Sequence, residues 1–139
     1  MPSRLFLSED SLKINLQCGL SSTGYGVVGT NITLALNSLK HEVALWPIGD
    51  ADVSEEAVQS LRQCINRTGY YSKHAPSLRI WHQFDLAQHV GSGKHVGMPI
   101  FELDNFNPVE LHHMRQQDLV LVNSQWAKDI LKRFKIVSM

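Results

Sequence analysis

The chain has 139 residues, 43% hydrophobic and 19% charged, which suits one globular domain with its own core. Thirteen basic residues cancel thirteen acidic ones, so the basic footprint that nucleic acid phosphates require is missing and no nucleic acid partner is expected. Two cysteines, Cys18 and Cys64, make neither a disulfide framework nor a zinc site. No apolar run reaches the roughly 18 residues of a membrane-spanning helix, and the opening MPSRLFLSEDSLK has no signal-peptide core; a cytoplasmic protein is expected.

After a polar segment, residues 1–12, Lys13 to Gln17 reads as a first strand. It breaks into a Gly/Ser/Thr stretch and resumes as a helix over Val27 to Leu39, with Val28, Ile32, Leu36 and Leu39 at helical spacing. Glycines 19, 24, 26 and 29 let backbone amides approach an anion, and the following helix offers its positive end. Gly24, Gly26 and Gly29 do read G-x-G-x-x-G, a weak signal alone, and a plain turn is the competing reading. The compact run His41 to Trp46, closed by Pro47, completes a βαβ unit and implies parallel strands.

Ser54 has the chemistry of an N-cap for a helix carrying Ala57, Val58, Leu61 and Ile65 and ending near Gly69, followed by a polar loop to Pro76. Three further strands are expected at Leu78 to Trp81, Val96 to Phe101 and Leu119 to Val122, with a helix at Pro108 to Gln116. Its His112 and His113 are expected on an exposed surface. Ser124 caps a last helix, Gln125 to Phe134, whose Trp126 is expected in the core. The alternation predicts an α/β domain: a single Rossmann-like, doubly wound parallel sheet with helices on both faces, residues 1–139.

In such a sheet ligands bind beyond the carboxyl ends of the strands. Those positions hold the glycine-rich loop, then His82 and Asp85, then Glu102 and Asp104, then Asn123 and Ser124. A glycine loop facing a histidine, acids and an amide suits a phosphorylated, hydroxyl-rich ligand such as a nucleotide sugar. Each has a plainer reading: His82 as a strand-end histidine bonded to backbone, the acids as solvated or capping groups, Ser124 as an N-cap. His82, His89 and His95 fit no structural zinc spacing, so no metal is expected.

The run TGYGVVGTNITLALNSLKHEVALWP resembles the opening of GT-B glycosyltransferases, especially the retaining family-4 group. The blocks RIWHQFD, GMPIFELDNFNPVELHHMRQQD and LVLVNSQWAKDILKRFKI are similar to the rest of that family's N-terminal, acceptor-side domain, so the likeness covers Lys13 to Val137. It implies that Gly24, Tyr25 and Gly26 border the diphosphate of a nucleotide-sugar donor. His82 would approach the transferring sugar as the catalytic candidate, while Glu102, Asp104, Asn123 and Ser124 would line the cleft. The acceptor would be a sugar or a lipid, the latter with peripheral membrane contact, and no cofactor is needed. The family's donor-binding domain, with glutamates spaced E-x7-E, is missing, so the chain is expected to be a domain-length fragment, inactive alone, that needs that domain or a partner chain. Two alternatives stand beside this reading. The Ser21-Ser-Thr-Gly24 stretch also resembles the phosphate loop of flavodoxin-like FMN-binding electron carriers, with Trp81 or Phe84 against the flavin. A noncatalytic Rossmann-like binding module, pairing with another chain or weakly with itself, is the third.

Overall fold

A computed structural model describes residues 11–101 and 103–139. Five parallel strands, β1 (Lys13–Cys18), β2 (Glu42–Pro47), β3 (Ser77–Ile80), β4 (His95–Gly97) and β5 (Leu119–Val120), form one sheet in the order β2-β1-β3-β4-β5. Among the described residues four α-helices accompany them: α1 (Gly24–Ser38), α2 (Glu55–Asn66), α3 (Pro108–Arg115) and α4 (Gln125–Arg133). The expected α/β class and parallel sheet are present. The strands are shorter than the apolar runs: the run from Val96 to Phe101 pairs only through Gly97, since Pro99 has no N–H to give a ladder.

Register assigns the two faces of the sheet, because paired residues share a face and successive residues alternate. Leu16, Cys18, Val43, Leu45 and Ile80 share one face and are buried in one apolar cluster with Ala57, Leu61 and Cys64 of α2, against which Val28 and Ile32 of α1 pack. Both α1 and α2 therefore cover this face. The opposite face carries Asn15, Gln17, Ser77, Arg79, Gly97 and Val120. Val120 joins Met114 of α3 and Ala127, Ile130 and Leu131 of α4 in a second cluster, so helices do lie on both faces.

The position of α2 is informative. Two right-handed crossovers that step in one direction place their helices on one face, and a reversal moves the next helix to the other. After α2 the chain does not cross directly to β3. A 3-10 turn, Arg67–Tyr70, rounds the outer edge of β2, where Arg67 Nη1 donates to the Val43 carbonyl at 3.2 Å. The chain then passes under the opposite face, with the Tyr71 ring against Trp46 at 5.1 Å and the Ser72 carbonyl accepting from Asn15 Nδ2 at 2.8 Å. In helix layering this is the Rossmann order 3-2-1-4-5-6 with its third strand replaced by a short loop.

Two expected burials are corrected. Trp126 is 46% exposed, because the α4 face toward the sheet is set by Ala127, Ile130 and Leu131, one residue away around the helix. His113 is not simply exposed: it is half-buried, and its Nδ1 accepts from the Leu86 amide at 3.1 Å, while its neighbour His112 faces outward.

Candidate functional site

The winding reverses between β1 and β3: β1 leads to α1 on one face, while the loop after β3, through Leu86, and α3 after β4 pack on the other. Above the carboxyl ends of these strands lies an open cleft of about 550 Å³. Gly24 and Tyr25 reach it from the first turn of α1, His82 and Phe84 from the β3 loop, Leu103 from beyond β4 and Asn123 from beyond β5. Four strand ends thus converge at the switch point, the position where open α/β sheets bind ligands.

Tyr25 fixes the geometry. Its hydroxyl donates to the Ile100 carbonyl and accepts from the Ile100 amide at 3.3 Å, tying α1 to the segment after β4. Burial raises the phenol's pKa, with the bond to Ile100 acting in the opposite direction, so it stays neutral near pH 7. Its ring lies 4.4 Å from that of His82, and His82 in turn stacks on Phe84 at 5.0 Å with the planes 7° apart. The imidazole is held by three aromatic rings, Trp81 being the third at 4.9 Å. No described residue hydrogen-bonds its nitrogens, and the ring lines the cleft.

The glycines divide between two roles. Gly24, at φ +57° with open space where a methyl group would stand, answers to backbone conformation. Gly26 and Gly29 answer to packing: a Cβ at Gly26 would stand 1.8 Å from Ser21 Oγ, and one at Gly29 would stand 2.3 Å from the Gly19 carbonyl oxygen. Both lie on the buried side of α1, and Gly26 is not part of the cleft wall. The close seating brings the first turn of α1, without any acidic side chain, up to the cleft.

The expected acids do not converge. Asp85 turns back to Arg79, Oδ2 to Nη2 at 3.1 Å, and Arg79 Nε also donates to the Asp85 carbonyl at 2.8 Å. Asp104 is exposed and outside the cleft lining, its carbonyl held by Arg133 at 3.0 Å. Ser124 serves as the N-cap of α4, accepting from the Ala127 amide at 3.1 Å. Glu102 lies outside the described residues. The spacing E-x7-E does occur in this chain, at Glu102 and Glu110, but Glu110 is a structural residue of α3, buried and bonded to Asn107 and Gln83. Among the described residues the cleft lining carries neither a carboxylate nor a lysine or arginine, so a two-carboxylate acid-base mechanism has no support there.

Thiol chemistry is equally unsupported. Burial pushes the Cys18 thiol up to about 11, and Cys64 is raised for the same reason, leaving both protonated and unreactive near pH 7. Among the described residues no group of three histidine, cysteine or acidic side chains is arranged to hold a metal. Leu103, Ile100 and Phe101 are cleft residues that the reading of strand ends missed, since it looked for polar groups. Their signal was the apolar content of the run past Pro99. A search of family models, curated proteins and solved structures finds no match to this chain.

Proposed function

We propose that this chain is the acceptor-side half of a glycosyltransferase that moves a sugar from a nucleotide-sugar donor, with the cleft at the β1/β3 switch point as its share of the active site. The observation that carries this reading is the meeting of the acid-free first turn of α1 with a ring-clamped His82 that has no hydrogen-bond partner among the described residues. Amides at a helix start stabilise an anion, and a departing diphosphate develops that charge in the transition state. His82 and Asn123 supply hydrogen bonds to sugar hydroxyls, while Tyr25, Phe84 and Leu103 offer apolar surface to a pyranose face. One rim supplies only part of the needed stabilisation, so the chain alone does not turn over.

A second reading keeps a place because the strand order β2-β1-β3-β4-β5 is the flavodoxin-like order, which binds FMN at the same switch point. The layering of α2 with α1 speaks against it, since a flavodoxin-like crossover from β2 to β3 places that helix on the opposite face.

Amide-resolved NMR of the full chain, titrated with UDP-glucose, GDP-mannose and FMN, separates the two. The expected result is weak binding of a nucleotide sugar, Kd about 1–10 mM as befits half a cleft, shifting Gly24, Tyr25 and the His82 ring. Micromolar FMN binding with quenched flavin fluorescence would replace this reading with the electron carrier. Silence toward all three ligands, or robust sugar transfer by the chain alone, would refute the half-site proposal.

A further inference from the structure

The second face of the sheet holds an anomaly far from the cleft. Asn15 sits in β1, an interior strand next to the edge strand β2, and is 1% exposed, at a position where parallel sheets ordinarily carry an apolar residue. Its Nδ2 donates to the Ser72 carbonyl at 2.8 Å, which fixes the orientation of the carboxamide, since a carbonyl can only accept. Its Oδ1 therefore remains an acceptor, and no described residue donates to it. Two residues further along the same face, Gln17 Oε1, unlike Asn15 Oδ1, is a fully buried oxygen with no partner among the described residues.

Asn15 lines a concavity of about 270 Å³ at the amino-terminal end of β1 and β2. Tyr70 and Tyr71 form its wall, and Lys13 and Glu42 stand at its mouth, both more than half exposed. Arg67 contributes too: its Nη1 serves Asn37, Val43 and Cys64, while Nε and Nη2 have no partner among the described residues. Among the described residues the concavity thus offers an acceptor oxygen on a buried asparagine, guanidinium donors without a partner and aromatic rings.

We propose that this concavity binds a small planar ligand with a hydrogen-bond donor and an acceptor on one edge, a carboxamide or a nucleobase. The ligand's N–H would meet Asn15 Oδ1, its carbonyl or ring nitrogen would meet Arg67, and its ring would lie against the tyrosines. The site is independent of the cleft and of any reading given to it.

The test is ligand titration of the full chain followed by NMR, with nicotinamide as the carboxamide probe, adenine as the nucleobase probe and benzyl alcohol as a ring without the paired edge. Either of the first two is expected to shift the Asn15 side-chain amide and the Tyr71 ring, with Kd about 1–10 mM, and the tighter of them identifies the source. Asn15→Ala is expected to weaken binding about tenfold, the usual loss for one buried hydrogen bond. Should that variant not fold, Tyr70→Ala, at a residue 75% exposed, is expected to weaken it about threefold through lost stacking. Three results would each overturn the site: no shift at about 20 mM probe, which leaves the acceptor to water; equal response to benzyl alcohol; or shifts confined to Tyr25 and His82.

Discussion

Gly29 shows how one residue can carry a signal whose physical cause differs from the motif it belongs to. In the sequence it closes G-x-G-x-x-G and suggests a phosphate, yet its hydrogen faces the Gly19 carbonyl and the Cys18 side chain, letting α1 lie directly on β1. A methyl group there would stand 2.8 Å from Cys18 Sγ as well as 2.3 Å from the carbonyl oxygen, and backbone cannot rotate away. Gly29→Ala is expected to destabilise by about 1–3 kcal/mol, the cost of overpacking. The control is Gly69→Ala, where a Cβ meets nothing within 4 Å and the change should stay within about 0.5 kcal/mol. Urea midpoints of the two variants decide it; equal midpoints would mean that α1 sits less tightly on the sheet than described.

The element α3 is specified locally and then used as an anchor. Asn107 Oδ1 accepts from the Glu110 amide at 2.8 Å while Glu110 Oε1 accepts from the Asn107 amide at 2.9 Å, a complete capping box with Pro108 just inside the helix. The second carboxylate oxygen of Glu110 accepts from Gln83 Nε2 at 2.7 Å, so the helix start holds the loop that carries His82. Glu110 is 7% exposed, and its loss leaves a buried Gln83 donor unpaired. Glu110→Ala is expected to cost about 2–3 kcal/mol. Glu110→Gln keeps the shape but turns one N–H toward a donor, for about 1–2 kcal/mol. A thermal or urea comparison in which Gln matches wild type would show that only one of the two bonds counts.

At the scale of the whole molecule, the buried polar contacts between layers are made by residues far apart in sequence. Gln117 Nε2 donates to the Leu86 and His113 carbonyls, so its Oε1 must accept from His89 Nε2 at 2.6 Å; His89 Nδ1 then accepts from Ser77 Oγ at 2.8 Å. This ties β3, the loop after it and the end of α3 together through a neutral imidazole. His89 stacks on His95 at 4.3 Å and lies near Arg79, and burial, the largest cause, lowers its pKa below 6.5. A base whose folded pKa is lowered binds fewer protons folded than unfolded, so stability is full above the unfolded value and falls as pH drops below about 6.5. Urea midpoints should therefore decline from pH 7.5 to 5.5, and His89→Gln should flatten that decline. An unchanged slope in the variant would assign the acid sensitivity to another group.

The α/β class, the parallel strands, the order of elements and the cap at Ser124 were legible in the sequence, because each follows from hydrophobic period or from contacts within four residues, whereas the expected cap Ser54 makes no side-chain bond to its helix. Strand ends in a parallel sheet share one rim, which pointed to Gly24, His82 and Asn123 around one cleft, while Tyr25 entered only through the family resemblance. That Asp85 belongs to Arg79, that Asp104 stands outside and that Gly26 and Gly29 serve packing emerged from the fold alone. It alone put α2 beside α1, by routing residues 67–76 around the edge of β2, and set polar side chains on the hidden face of β1. The reason is physical: period and capping are local, whereas the partner of a charge, or the atom a missing Cβ would strike, is fixed only when distant segments meet.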